Sequence, residues 1–152
     1  MTQAISQLSA HCPDRRATEH CDIPNVPIKT QGEIEAAICE SINRFQRDYM
    51  GRGPKGIRVH LIGDLLLVRL HCLLTVPEQH MVKTLPAEKG RDLLKQVRSH
   101  LIEAARPVME PMIHEATGVK VLSLHHDIST VTGEEVLFFT LAKSPPCWQS
   151  RK

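Results

Sequence analysis

The pattern of apolar residues predicts an α+β fold in which helix-strand-strand occurs twice and closes into a four-stranded antiparallel sheet. Two main helices cover one face of that sheet. Three observations point this way. Two stretches, ending at Gly51 and Gly118, repeat apolar residues at three- and four-residue spacing. Each is followed by aliphatic segments separated by turn residues. The tetrapeptides Gly56-Ile57-Arg58-Val59 and Gly118-Val119-Lys120-Val121 also start each half alike, and neither half can bury its apolar face alone.

Residues 1–29 carry no period and contain Pro13, Pro24 and Pro27, so they read as a flexible arm. Residues 144–152, with Pro145 and Pro146, read as a tail, leaving one domain over residues 30–143. The domain opens on Thr30 with Glu33 three residues on, a capping box in which each side chain satisfies a free amide of the other. Ile34, Ile38, Ile42, Phe45 and Tyr49 follow on one helical face, and Gly51 and Pro54 stop the helix.

A hairpin comes next. Ile57, Val59 and Leu61 alternate with polar residues, Gly63-Asp64 makes a turn, and Leu66, Val68 and Leu70 return. A two-residue turn sets Leu61 opposite Leu66, Val59 opposite Val68 and Ile57 opposite Leu70. Thr75 and Glu78 then cap a short helix to about Lys83. A long helix from about Glu88 has the predicted face Leu94, Val97, Leu101, Ala105, Val108, Met112 and Ala116. Pro107 and Pro111 predict a kink or break near residue 107. A second hairpin pairs about Val119 to Leu124 with about Glu135 to Leu141.

With this register the uncovered sheet face carries Arg58, His60, Leu67 and Arg69 from the first hairpin, and Leu122, Leu137 and Phe139 from the second. Leu65, His71, Lys120, Leu124 and Leu141 are assigned to the same face. So many large apolar residues predict a cover, and a second copy of the same sheet, hence a homodimer, is the simplest one. His60 and His71, gaining charge as pH falls, would loosen that dimer.

Composition narrows the function. Apolar residues form 41% of the 152-residue chain and charged residues 24%, which supports a folded core and excludes a disordered or fibrous chain. Nineteen Lys and Arg against seventeen Asp and Glu give a net charge of +2, and aromatic residues are 3%. Neither a basic footprint nor a stacking platform is present, so no nucleic-acid partner is expected. Asp64 and Arg69 interrupt the most apolar stretch, and the first ten residues lack the pattern of a secretory signal. No direct membrane insertion is expected, and the five cysteines fit reduced thiols in a cytoplasmic protein.

The most specific local feature is Gly51-Arg52-Gly53-Pro54-Lys55-Gly56. Its glycines allow backbone amides to face one concavity, and Arg52 and Lys55 add positive charge, so Gly51, Arg52, Gly53 and Lys55 form a candidate anion site. A helix cap and turn explain the glycines equally well, but not Arg52. The run lacks the Lys-Ser/Thr ending of a phosphate-binding P-loop. His125 and Asp127, two apart in a strand, are weak metal candidates because a third ligand is missing from the sequence pattern. His11-Cys12 and His20-Cys21 match no compact metal finger. No nucleophile elbow is present, and Glu134-Glu135 diverge in a strand, so the chain leans away from an enzyme and requires no cofactor.

The run Phe45-Gln46-Arg47-Asp48-Tyr49-Met50-Gly51-Arg52-Gly53-Pro54 before an Asp-turn hairpin resembles the MpsC-like family, named as a component of a sodium-translocating, membrane-potential-generating system. Leu74-Thr75 with Glu78, and Thr117-Gly118 with Val121 and Asp127, resemble later segments of that family, and the similarity spans about residues 33–142. Pro107 and Pro111 depart from the family's more regular long helix. The resemblance implies an accessory or regulatory role beside a membrane system handling ions or inorganic carbon, with a transporter subunit as partner. It places the protein in the cytoplasm, peripheral to the inner face of the membrane, and carries over no active site. The alternative is a sensor of a small anion (bicarbonate, phosphate or a nucleotide) built on the Gly-Arg-Gly-Pro loop.

Overall fold

A computed structural model describes residues 28–147. The His11-Cys12 and His20-Cys21 dipeptides lie outside the described residues. The elements run α1 (Gln31–Tyr49), β1 (Gly56–Ile62), β2 (Leu65–His71), α2 (Val76–Thr84), α3 (Ala87–Thr117), β3 (Val121–Ile128) and β4 (Glu135–Leu141). Both capping boxes form. Thr30 Oγ1 accepts from the Glu33 amide at 3.2 Å and Glu33 Oε2 accepts from the Thr30 amide at 2.6 Å. Thr75 and Glu78 repeat the exchange at 3.4 and 2.7 Å.

The strands form one antiparallel sheet in the order β1-β2-β4-β3. The first hairpin has the register its alternation predicts, Ile57 with Leu70, Val59 with Val68 and Leu61 with Leu66. Gly63 supplies the left-handed residue of the turn at φ +62°. Ile34, Ile38, Ile42 and Phe45 of α1 and Ile102, Ala105, Met109 and Ile113 of α3 bury against Leu66, Val68 and Leu70 of β2. Each of these side chains larger than alanine contributes about 1.5–3 kcal/mol relative to exposure.

β1 is an edge strand, and its outward backbone is covered by α1. The Leu61 amide donates to Glu35 Oε1 at 2.8 Å, and the Leu61 carbonyl accepts from Gln31 Nε2 at 2.9 Å. Two polar groups that would otherwise template another strand are thereby occupied.

Four expectations are corrected. Leu137 and Phe139 are fully buried beneath the helices, with Leu124 and Leu141, and do not lie on the uncovered face. The register sets Leu66 opposite Phe139 and Val68 opposite Leu137, so these β4 side chains share the core side of β2. A register shift between Val121 and Ser123 brings Leu124 opposite Phe139 on the core side, while Leu122 stays exposed.

The inner stripe of α3 is Leu94, Arg98, Ile102, Ala105, Met109 and Ile113. Val97, Leu101 and Val108 are exposed. Apolar residues occur on both stripes, so periodicity alone did not choose the one facing the sheet.

α3 runs unbroken through Pro107 and Pro111, so the expected break does not occur. Both prolines lie on the exposed side of the helix, away from the buried stripe that packs on the sheet. Finally, Gly56 lies inside β1 whereas Gly118 is the left-handed cap of α3 at φ +70°. The residue playing that part after α1 is Gly51, at φ +76°. The two similar tetrapeptides therefore occupy different structural positions.

Candidate anion-binding site

The end of α1 builds the first wall of a cavity. The amides of Met50 and Arg52 both donate to the Gln46 carbonyl, at 3.2 and 3.3 Å, and the left-handed Gly51 makes that turn possible. Gly53 packs on α1, where an added Cβ would stand 3.1 Å from Arg47 Cγ and 3.3 Å from Asn43 Oδ1. The Lys55 amide donates to the His71 carbonyl at 3.0 Å, and Arg52 Nη1 donates to the Leu74 carbonyl at 3.3 Å. The loop is thus fastened to the chain leaving β2.

The second wall is that chain and α2. Cys72 takes φ +58°, an uncommon conformation for a residue with a side chain, and turns the chain out of the sheet. Gln79 Nε2 shares the Leu74 carbonyl at 3.1 Å. Lys83 lies in the last turn of α2.

The third wall is the connection between β3 and β4. The Ser129 amide donates to the Glu134 carbonyl and the Gly133 amide to the Ser129 carbonyl, each at 2.8 Å. The Leu73 amide donates to the Gly133 carbonyl at 3.0 Å. Gly133 sits at φ +69° against Leu74, whose Cγ would stand 3.3 Å from a Cβ there. Arg69 holds Glu134 bidentately at 2.6 and 2.8 Å, and that hydrogen bond keeps the Glu134 carboxyl below its ordinary pKa.

Between these walls lies a cavity of about 370 Å³. Arg52, Lys55 and Lys83 line it with Gln79, Thr130 and Thr132, and Leu74, Val82 and Val131 supply apolar surface. No carboxylate lines it among the described residues. Three cations and several hydrogen-bonding groups facing one concavity concentrate positive potential there. Of the sequence-predicted set, Arg52 and Lys55 line the cavity, whereas Gly51 and Gly53 serve the turn. The amides of Arg52 and Lys55 already have backbone partners, so charge comes from side chains and not from a nest of free amides. Lys83, Thr130 and Thr132 come from distant segments with no linear signature.

A buried charged cluster was also missed. Arg98, 5% exposed, donates to Glu78 Oε1 and Oε2 at 3.2 and 3.1 Å and to the Leu73 carbonyl at 3.2 Å. Its Nη1 lies 3.9 Å from Glu135 Oε2. Glu135 is fully buried, and its Oε1 lies 3.1 Å from His126 Nε2 without hydrogen-bond alignment. Burial pushes the Glu78 carboxyl up, but the Thr75 amide and hydroxyl and the Arg98 guanidinium outweigh it and hold the carboxyl below its ordinary value. One sequence signal existed for this cluster: Arg98 is four residues from both Leu94 and Ile102, in phase with the buried stripe.

His125 and Asp127 are both exposed, and Lys95 Nζ occupies the Asp127 oxygens at 2.8 and 3.2 Å. That hydrogen bond holds the Asp127 carboxyl below its ordinary pKa. Among the described residues no three His, Cys, Asp or Glu side chains gather to hold a metal ion. On the uncovered sheet face, Arg58, His60 and Arg69 are exposed and Leu67 is half-buried, joined by Ile62, Leu122 and Phe138. No helix among the described residues is long and apolar enough to cross a membrane.

The fold and cavity define a small α+β domain with a basic pocket between a helix-ending loop and a β-hairpin connection. Residues 30–143 match the family model described as the Na+-translocating membrane potential-generating system (MpsC), and the chain belongs to that family. It is 36% identical over 113 residues to YbcI of Bacillus subtilis (strain 168), a protein described as uncharacterized, covering 74% of this chain and 89% of that one. No solved structure matches the chain.

Proposed function

We propose that this protein is a non-enzymatic accessory or regulatory component of a membrane ion or inorganic-carbon transport system, responsive to a small anion held between Arg52, Lys55 and Lys83. The observation that carries the anion response is the cavity itself, where three cations meet without a lining carboxylate among the described residues. Such a lining binds and orients negative charge, which suits a sensor. The link to transport is supported by the description of the family. A homodimer through the uncovered sheet face is part of the reading, supported by Ile62 and Leu122, each about 60% exposed, beside Phe138.

The test is affinity capture of the tagged full-length protein from gently solubilised native cells, with Arg52→Ala in parallel. Recovery of a multispanning transport protein, weakened by Arg52→Ala, is the expected result. Recovery of nothing beyond a second copy would contradict the accessory role.

A further inference from the structure

The size and lining of the cavity say what kind of anion it takes, on the reading that it binds one. At about 370 Å³ the cavity falls in the size range of small-molecule pockets, about 300–1,000 Å³. Bicarbonate or inorganic phosphate, with about five heavy atoms at most, is smaller than the ligands such pockets usually bury. The cations also come from separate elements: Arg52 and Lys55 from the loop before β1, Lys83 from the end of α2. A singly charged anion would leave part of this positive charge uncompensated.

The remaining surface is amphipathic. Thr130 and Thr132 offer hydroxyls, while Leu74 and Val82 offer aliphatic contact. No aromatic ring lines the cavity among the described residues, so a nucleobase would find no stacking partner. We infer that the cavity takes a multiply charged organic anion larger than phosphate. Its anionic groups are met by Arg52, Lys55 and Lys83, and its short hydroxylated body lies against Thr130, Thr132, Leu74 and Val82.

The experiment is isothermal titration calorimetry on the full-length chain at constant ionic strength. The probes are inorganic phosphate, citrate, fructose 1,6-bisphosphate and uncharged glucose. The expected result is at least tenfold tighter binding of citrate or the bisphosphate than of phosphate, and no binding of glucose. The citrate and bisphosphate arms separate carboxylate from phosphoryl ligands. Lys55 and Lys83 are exposed, so the double variant Lys55→Gln, Lys83→Gln should retain the fold, as circular dichroism would check. It should weaken the organic anion at least tenfold. Phosphate binding as tightly as both organic anions would overturn this inference while leaving the anion reading intact. No binding of any anion would overturn both. Tight binding unaffected by the double variant would place the ligand elsewhere and overturn the assignment of the cavity.

Discussion

Arg98 and Glu135 meet inside the protein, with Nη1 3.9 Å from Oε2 and neither residue more than 5% exposed. The same guanidinium holds Glu78, so one side chain of α3 ties α2 and β4 together. Removing it strands a buried carboxylate whose other close neighbour, His126, is misaligned for a hydrogen bond. Arg98→Ala should destabilise the fold by about 3–5 kcal/mol. Replacing both charges, as Arg98→Met with Glu135→Leu, should recover much of that loss. Urea unfolding midpoints of the three proteins check both statements.

Glu78 makes stability depend on acid pH. Its carboxyl titrates below the ordinary value in the folded chain, so the folded state favours the charged form. That contribution is fully present above the unfolded carboxylate pKa, about 4.3, and is lost as pH falls through the lower folded pKa. Glu78→Gln should therefore flatten the decline of Tm below about pH 4.3. Gln at this position can still close the capping box, so the helix start is retained. An unchanged decline would remove Glu78 as its source.

Cys72 holds φ +58° at the exit from β2, where Asn is better tolerated than most residues with a side chain. Cys72→Asn should stabilise the chain by up to about 1 kcal/mol, and Cys72→Val should destabilise it by at least that much. Thermal unfolding of the two variants separates backbone conformation from loss of the thiol, which they share.

The uncovered sheet face yields a test of association. Phe138 is 38% exposed at its centre on β4, beside the central strand β2. If two copies pack through this face, Phe138→Glu buries two like charges at the two-fold interface and should convert a dimer to a monomer. Sedimentation equilibrium of the two proteins reports it directly. A wild-type monomer at high micromolar concentration would contradict the dimer.

The legibility of this chain varied with how much its pattern constrained the answer. The first hairpin was fully readable because strict alternation and the Gly63-Asp64 turn allow one register. The second was not: Val136-Leu137-Phe138-Phe139 is apolar on both faces, so nothing local chose the side that the helices cover. The bulge after Val121 then moved Leu124 to the core side of the sheet, opposite Phe139. The long helix failed similarly, because Leu93, Leu94, Val97, Leu101 and Ile102 offer two adjacent apolar stripes. Arg52 and Lys55 stood out in the sequence, but Lys83 and the threonines join them only through the tertiary fold. The Arg98 cluster hid behind the rule that charged residues lie outside, although its phase with Leu94 and Ile102 broke that rule visibly.

The most direct test of the central claim is amide chemical-shift mapping by NMR, adding sodium phosphate or sodium citrate to the full-length protein against a sodium chloride control of equal ionic strength. Phosphate occupying the cavity predicts saturable shifts concentrated at Arg52, Lys55, Lys83 and Thr130 to Gly133, and their loss in the Lys55→Gln, Lys83→Gln variant. Shifts absent from these residues with phosphate and with citrate alike, or spread evenly over the surface lysines and arginines, would contradict an anion site between the loop and the hairpin connection.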